Sequence, residues 1–259
     1  MKKLFISFVA LAAIAAGLVS CNSKSGQYKV AIEPMGNETA VWEPGEALVS
    51  WDNTLTATDV AVSMETRDEA IFVQLPDDLK TDGVRRFVHP AAVYAGEGKV
   101  CIPTVQSGIV NQLDMPVYAE AVENSDVLNF MSLCGVVRLH LTTPEQISSI
   151  AITTEDSLGY MTGLFTVSDY PTVNLNVDES MGAVNSVRCE ALPPMDFTQG
   201  ADVDFFVAPG NFKTFTVTMT TPDGRVCVKN PKEGMEIVVE RNNVSTVNIG
   251  TPEHLMVFE

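Results

Sequence analysis

The sequence predicts an all-β protein of the antiparallel sandwich or barrel type. Short stretches in which apolar and polar residues alternate recur roughly every ten residues, as the strands of such folds do. Polar turns with Pro, Gly, Asp or Asn separate these stretches. No long segment after the leader keeps the period of an amphipathic helix. The pattern therefore argues against alternating strands and helices, and hence against βαβ units.

The chain begins with the pattern of a secretory leader. Two lysines open it, an apolar run from Leu4 to Val19 follows, and the small residue Ser20 precedes Cys21. The apolar run is short for a membrane span. The end of the leader resembles the lipobox of bacterial lipoproteins, in which a diacylglycerol is attached to the cysteine sulfur and the leader is removed. We therefore expect residues 1–20 to be a signal peptide and Cys21 to be lipidated, so that acyl chains hold the body to a membrane.

The totals limit the classes of protein that fit. The chain has 259 residues, which leaves room after the leader for one large β domain or two of ordinary size. Its 16 basic and 33 acidic residues give a formal net charge of −17. An acidic chain without clustered Lys and Arg does not bind nucleic acid through general electrostatics. The acidic residues are scattered, so we interpret them as a solvated surface and expect no nucleic-acid partner.

The first half starts with a short tether and a strand. Residues 21–27 are small and polar, and we interpret them as a flexible connection between the lipid and the fold. Tyr28, Val30 and Ile32 then alternate with Lys and Ala, which predicts a strand over Tyr28–Ile32. Further strands of this half are predicted at Val60–Met64, Ile71–Leu75, Val100–Ile102 and Met115–Tyr118, and Phe87–Pro90 leads into another short apolar stretch at Ala91–Tyr94.

A change in composition marks the middle of the chain. Residues 120–129 are acidic and polar, and we place a domain boundary there, between residues 28–122 and 123–259. The clearest strand of the second half is Phe215–Met219, and Pro222–Arg225 predicts the hairpin turn that follows it. Other strands are predicted at Val137–Leu141, Ile147–Thr153, Val173–Val177, Val226–Val228, Glu236–Val239 and Val244–Ile249.

Four cysteines follow Cys21. Export allows disulfides, but the long spacings contain no CxxC pair, and a body of this size does not depend on staples. Cys101 and Cys227 each lie between two apolar residues, so their side chains point to the strand face opposite to those neighbours. We interpret the four as buried free thiols and keep one or more disulfides as the alternative. They are Cys101, Cys134, Cys189 and Cys227.

The sequence offers no motif for catalysis or for binding a metal or cofactor. It contains no GxSxG elbow, no phosphate-binding loop and no pair of histidines with zinc spacing. His140 alternates with core residues and is expected on an exposed strand face, whereas His89 precedes a proline in a loop. Asp202 and Asp204 would share a strand face, but the other ligands of a calcium loop are missing. Paired glycosidase carboxylates remain an alternative, because such pairs meet only in three dimensions.

Two further features allow more than one interpretation. Trp42 and Trp51 are the only tryptophans, and they are interpreted as core residues, with stacking on a sugar as the alternative. The tripeptide Asp156–Leu158 resembles the short sites that carry O-linked glycans in some anaerobes. Ser157 is therefore a candidate O-glycosylation site.

Several stretches, taken in order, resemble the fimbrillin-like lipoproteins that build or anchor type V pili. The resemblance covers most of the mature chain. It implies two tandem antiparallel β-sandwich domains of transthyretin-like or Ig-like Greek-key type. The stretches are Glu38–Glu46, Ile102–Gln106, Asp114–Ala119, Leu128–Gly135, Phe205–Gly210 and Arg241–Val247.

The family also implies a mechanism of assembly. A shaft subunit loses its N-terminal strand when a protease cuts after an arginine, and a terminal strand of a neighbouring subunit fills the groove. This chain departs from that pattern, because its first arginine is Arg67, well past the first predicted strand. An unprocessed first strand keeps the lipid joined to the fold, as an anchor at the pilus base requires. The segment expected to pair with a neighbour is Val244–Ile249 with its tail to Glu259, and an ordinary last strand is the alternative.

The leading hypothesis is a non-enzymatic outer-membrane lipoprotein that anchors or assembles fimbriae, with fimbrial subunits as its protein partners. A shaft subunit or tip adhesin of the same pilus is the closest alternative. A glycan-binding surface lipoprotein is the second, and exposed tryptophans would favour it. An enzyme is the third, and a cleft with converging carboxylates would be its sign. We expect a lipid-anchored location at the outer membrane, on the cell surface or in the fimbrium.

Overall fold

The computed structural model shows an all-β chain, which confirms the fold class at that level. The part of the chain that it describes contains twenty strands and one 3₁₀ turn at Ala91–Val93, and it contains no α-helix. The described residues are 27–35, 47–51, 62–67, 70–74, 85–110, 114–121, 125–155, 159–168, 174–177, 182–230, 235–250 and 256–259.

Nine of the strands precede Leu133. They are short, and several are separated by the polar turns that the sequence predicts. They are β1 (Gln27–Ile32), β2 (Ala47–Trp51), β3 (Val62–Arg67), β4 (Ala70–Gln74), β5 (Arg85–His89), β6 (Tyr94–Gly96), β7 (Lys99–Ile102), β8 (Val117–Ala121) and β9 (Val127–Ser132).

The other eleven strands follow the turn at Leu133–Cys134. They are β10 (Gly135–Leu141), β11 (Ser149–Thr154), β12 (Gly163–Ser168), β13 (Asn174–Val177), β14 (Ser186–Cys189), β15 (Ala201–Val207), β16 (Gly210–Phe212), β17 (Phe215–Thr220), β18 (Val226–Lys229), β19 (Ile237–Val239) and β20 (Val244–Ile249).

Seven strands of the first part close into a barrel, in the order β1-β4-β3-β2-β5-β8-β9. All neighbours in the barrel are antiparallel except β1 and β9, which run parallel and complete the ring. Closure leaves no unpaired sheet edge within these seven strands. Their shared core contains Val30, Leu48, Val73, Phe87 and Phe130, among other buried residues.

A second core lies on the other face of β2, β5 and β8. Alternation along these strands sends Leu48 and Phe87 to the barrel core and Val49 and Val88 to this one. The second core also receives side chains from the sheet β13-β12-β7-β6. Both faces of the barrel wall are therefore buried here, which explains why the sequence of β5 and β8 lacks a clean polar alternation.

The third and largest core lies in the second part of the chain. The sheets β15-β10-β20 and β14-β11-β17-β18 both contribute to it, together with the pair β16-β19. The strand β17 alternates as predicted, because Phe215, Val217 and Met219 are buried and the threonines between them face outward. The hairpin turn predicted at Pro222–Arg225 connects β17 to β18.

Strands from the two sides of the predicted boundary at residue 122 pair with each other. The strand β9, which follows the boundary, pairs with β1 and β8 of the barrel. In addition, β7 pairs with β12, so that Lys99–Ile102 lies beside Gly163–Thr166. The division into domains 28–122 and 123–259 stays a prediction.

Candidate functional site

The first strand is inserted into the barrel wall. β1 pairs with β4 on one side and with β9 on the other. The N–H groups of Lys29 and Glu33 donate to the carbonyls of Asp126 and Phe130 at 2.7 and 2.8 Å, so alternate residues face β9. Val30 is buried in the barrel core. The first strand is thus held by main-chain bonds along both edges and by one buried side chain.

The last strand lies at the edge of its sheet. β20 runs parallel to β10, its only neighbour in the described sheet β15-β10-β20. The N–H groups of Val136 and Thr142 donate to the carbonyls of Asn243 and Ile249 at 2.8 and 3.1 Å. Val247 is buried in the third core. The segment expected to pair with a neighbouring subunit therefore forms the last strand of its own sheet.

The chain returns to the opposite sheet after β20. The N–H and C=O of Val226 bond to the C=O and N–H of Glu259, at 2.8 and 3.0 Å. Met256 is buried in the third core, and Phe258 packs against it. Residues 256–259, here called the tail, therefore cover the outer edge of β18.

A segment of the first part, residues 103–110, closes the other side of the third core. We call it the strap. The main-chain N–H of Arg188 in β14 donates to the carbonyl of Thr104 at 2.8 Å, and the carbonyl of Arg188 accepts the N–H of Gln106 at 2.9 Å. The N–H of Asp204 in β15 donates to the carbonyl of Gly108 at 2.9 Å. One segment thus bonds to the edge strands of both sheets, so the edge of β14 is covered, as the tail covers that of β18.

The strap is fixed by one side chain and one glycine. The amide of Gln106 donates to the carbonyls of Pro103 and Phe206 at 2.9 and 2.8 Å and accepts the N–H of Phe206 at 3.0 Å. Gly108 has a φ of +77°, and a Cβ there would lie 2.7 Å from Leu192. Only glycine suits this conformation and this space.

Charged residues occupy the outer face of the sheet β15-β10-β20. Arg138 donates two hydrogen bonds to the carboxylate of Asp204, at 2.9 and 2.7 Å. The Nδ1 of His140 lies 2.6 Å from a carboxylate oxygen of Asp202. His140 is half-buried on the outer strand face, and Asp202 and Asp204 share one face as expected. Both carboxylates are engaged by basic side chains, so neither is free for calcium.

A second charged cluster surrounds the hairpin between β17 and β18. Arg225 donates to both carboxylate oxygens of Glu145 at 3.0 and 2.7 Å, and to Asp223 at 2.9 Å. The hydrogen bonds from Arg225 lower the pKa of Glu145 below its ordinary value of 4.5. Bonds from Thr221 and then Arg225 lower the pKa of Asp223 below 3.8. These shifts stabilise ionised carboxylates on a surface, and they do not prepare an acid or a base for catalysis.

The tryptophan that the structure describes is a core residue. Trp51 is 1% exposed, and its ring stacks on Tyr94 with the ring centres 4.8 Å apart. Its second aromatic neighbour is Tyr118, whose hydroxyl donates to Glu120. Burial is the largest of the effects that raise the pKa of Tyr118. Trp51 therefore has no surface on which a sugar could stack.

The four cysteines after Cys21 are free thiols. Burial is as expected for three of them, but the expectation fails for Cys101, which is exposed because its neighbours Val100 and Ile102 face the second core. Burial raises the pKa of the Cys134 thiol. The sulfur of Cys189 lies 3.2 Å from the carbonyl of Ser107 in the strap. Cys227 faces the third core and points away from Val226 and Val228, as the alternation predicts.

Several predicted sites lie outside the described residues. The lipidation site Cys21, the leader 1–20, Trp42 and the glycosylation candidate Ser157 are among them. His89, expected in a loop, is instead the last residue of β5 and is buried, with a cis peptide bond to Pro90.

The described residues provide no cluster of three or more His, Cys, Asp or Glu side chains that could hold a metal ion. Over the same ranges, the chain forms no helix that is long and apolar enough to cross a bilayer.

Sequence comparisons give no match to any protein-family model and none to a curated protein. Solved structures do match. The chain is similar to a Bacteroides ovatus protein described as a "putative cell adhesion protein", with a TM-score of 0.57 and 10% identity over 90% of this chain and 94% of that one.

Two further structures cover as much of the chain with lower scores. A fimbrial assembly protein from Parabacteroides distasonis has a TM-score of 0.37 and 9% identity, over 90% of this chain and 98% of that one. The tip fimbrial protein Mfa3 from Porphyromonas gingivalis, with a C-terminal truncation, has a TM-score of 0.35 and 8% identity, over 90% of this chain and 98% of that one. The likeness in fold rests on the Bacteroides ovatus protein alone, and the structural neighbours named here are described as fimbrial and cell-adhesion proteins.

Proposed function

We propose that the chain is a non-enzymatic outer-membrane lipoprotein of the fimbrillin type, which anchors or assembles fimbriae. In this proposal residues 1–20 are removed, Cys21 carries the lipid, and the β-sandwich domains 28–122 and 123–259 pair with a neighbouring fimbrial subunit through β-strands. The lipobox-like leader and the fold shared with a cell-adhesion protein support it. The location is the outer membrane, with the body on the cell surface or in the fimbrium.

The observation that carries the proposal is the two-sided pairing of β1. Six residues beyond Cys21, the chain enters a strand that is bonded to β4 and β9. The first arginine, Arg67, is the last residue of β3. A cut after an arginine would therefore remove three barrel strands together. The first strand stays in place, and a lipid on Cys21 stays joined to the folded body, which suits an anchor.

Strand pairing with a neighbour is best supported at the end of the chain. β20 is an edge strand of its described sheet. The main-chain N–H and C=O groups of Thr246 and Asn248 face away from β10, because those of alternate residues point to opposite edges of a strand. A strand of another subunit could add there by main-chain bonds. Asn248→Pro tests this segment, because it removes an N–H that faces away from β10 and leaves the pairing of β20 with β10 intact. We expect surface pili to be lost while the level of the variant chain is unchanged, and normal pili would contradict the role.

The anchor is tested with the whole lipoprotein. Cells making the chain are labelled with an alkynyl fatty acid, and the protein is isolated and analysed by mass spectrometry together with what remains attached. We expect label on the wild type, none on the matched Cys21→Ser variant, and fimbrial subunits among the attached proteins. An unlabelled wild-type chain, or one that retains no fimbrial subunit, would refute the proposal.

The Ser157 site is proposed separately and has its own measurement. O-glycosylation would raise the mass of the peptide that contains Ser157, and Ser157→Ala would abolish the increase. If this peptide is unmodified in the native host, Ser157 is not an O-glycosylation site.

The rival classes receive less support. A glycan-binding protein would display its aromatic residues, and Trp51 is buried. The glycosidase alternative requires converging carboxylates, and the described carboxylates with lowered pKa values are surface groups bound to Arg225 or Thr198.

A further inference from the structure

The strap is held over the third core by hydrogen bonds and not by buried apolar side chains. None of its residues contributes a side chain to that core, and Val110, at its end, packs against the second core instead. Val105 and Ile109 point outward and are 45% and 57% exposed. Main-chain bonds to Arg188 and Asp204 join the strap to the two sheets. A segment with few buried apolar contacts opens at a lower free energy than the core beneath it.

The amide of Gln106 takes the place of a neighbouring strand at the edge of β15. It donates to the carbonyl of Phe206 at 2.8 Å and accepts the N–H of Phe206 at 3.0 Å. Two such bonds are what a directly opposite residue forms in the hydrogen-bonded pairs of an antiparallel sheet. One side chain therefore satisfies both main-chain groups of Phe206 on the side of β15 that faces away from β10.

The strap also covers the thiol of Cys189, on the inner face of the edge strand β14. The sulfur donates to the carbonyl of Ser107 at 3.2 Å, and Cys189 is 1% exposed. A Cβ at Gly108 would lie 3.4 Å from this sulfur, and 2.7 and 3.1 Å from Leu192 and Val203. The backbone of the strap thus lies directly on the core at this point. Displacing the strap would open a path from solvent to Cys189.

The tail covers a second thiol, on the opposite edge of the same sheet, and it is anchored differently. The main chain of Val257 lies beside the thiol of Cys227, which is 3% exposed. The tail places Met256 in the third core and packs Phe258 against it. Two apolar side chains therefore oppose the opening of the tail, whereas the strap has none in this core.

We propose that the strap is a latch, which opens as a unit while the sheets on both sides of it stay folded. The closed latch occupies the edges of β14 and β15, so that neither edge can pair with another strand at these positions. Opening frees the main-chain groups of Arg188, Asp204 and Phe206. Gln106 keeps the latch closed, because its amide supplies both bonds to the main chain of Phe206.

The experiment compares the thiols of the purified chain under native conditions. N-ethylmaleimide is added, and peptide mass spectrometry follows each cysteine separately, with each rate divided by that of the same thiol in urea. Cys101 is exposed and reacts first. We expect Cys189 to react at least about tenfold faster than Cys227, because the strap opens more often than the tail. Equal rates for these two thiols would overturn the latch, since both would then be reached through a common unfolding.

Two substitutions in the strap test what holds it closed. Gln106→Met keeps the length of the side chain and removes its hydrogen bonds, so it should speed the reaction of Cys189 about tenfold or more. Gly108→Ala adds a Cβ 2.7 Å from Leu192 at a φ of +77°, and it should act in the same direction. Val105→Ala is the matched control, because this side chain is 45% exposed, and it should leave the rate unchanged.

The rate at Cys227 distinguishes local opening from a loss of stability of the whole chain. It should be the same in the wild type and in all three variants, because the tail and not the strap covers this thiol. If Gln106→Met raises the rates at Cys189 and Cys227 by the same factor, or raises neither, the strap is not a latch. None of these results depends on lipidation of Cys21, so the latch and the anchoring role can fail separately.

Discussion

The first and last strands of the folded chain are held in different ways. β1 and β20 each run parallel to a neighbour, and those neighbours, β9 and β10, follow one another in the sequence. However, β1 has a second partner in β4, whereas β20 lies at the edge of its sheet. Burial does not account for this difference, because β1 buries only Val30, at 6% exposed, whereas β20 buries both Val247 and Ile249, at 8% and 6%.

The two ends therefore differ in main-chain pairing and not in a lack of burial, since β1 has two strand neighbours and β20 has one. Removing β1 opens a closed barrel and leaves two strands with unpaired edges. Removing β20 unpairs one side of β10 only. The proposed lipid attachment therefore precedes the strand with two main-chain partners, and the proposed contact with another chain falls on the strand with one.

Among the substitutions at the two ends, proline in β1 is expected to lower the stability of the fold most. Ala31 lies between Lys29 and Glu33, whose N–H groups bond to β9, so its own N–H faces β9 as well. Ala31→Pro removes that donor from an interior strand and leaves a carbonyl of β9 unsatisfied, so we expect the free energy of unfolding to fall by about 3 kcal/mol, the upper end of the cost of such a loss. Urea titration of the purified chain measures the loss.

The matched control for that substitution is proline at the other end. Asn248 of β20 is exposed, and its N–H faces away from β10. Asn248→Pro should change the free energy of unfolding by less than about 1 kcal/mol, because edge strands tolerate proline. Equal losses for the two variants would show that β1 and β20 are not held differently.

A smaller effect is expected from the tail that follows β20. Met256 is 5% exposed and packs in the third core. Met256→Ala should lower the free energy of unfolding by about 2 kcal/mol, the lower part of the range for such truncations. Val257→Ala is the control, since Val257 is 68% exposed and should have almost no effect. If both variants behave like the wild type in urea, the tail does not contribute to the stability of the third core.

The smallest effect concerns the acid stability of the hairpin beside the tail. The folded-state pKa of Glu145 lies below its ordinary value of 4.5, so its stabilising contribution is present above that value and is lost as the pH falls through the folded pKa. Glu145→Gln should remove part of the decline in melting temperature below about pH 4.5. An unchanged decline in melting temperature on acidification would contradict a contribution from the Arg225 pair.

Local patterns in the sequence predict much of this fold. Alternation finds β1, β10, β17 and β20, because each has one face toward a core and the other toward solvent or a polar layer. It also gives the orientation of Cys227, whose two valine neighbours face outward. These features depend on the strand period alone.

Features that depend on residues far away in the sequence cannot be predicted from local alternation. β9 follows a polar segment that indicates a boundary, and only its pairing with β1, about a hundred residues earlier, makes it a barrel strand. The strap has no strand pattern, and its structure depends on Arg188 and Asp204 near the other end of the chain. Gly108 could have given a signal, since an isolated glycine often marks a close approach of the backbone to other atoms.

The pairing of β7 with β12 sets an order for the assembly of this sheet. Lys99–Ile102 is synthesised before Gly163–Ser168, its partner in the sheet. The early segment therefore stays partly uncovered until about sixty more residues have been made. A chaperone that shields apolar strands would act on the nascent chain during that interval.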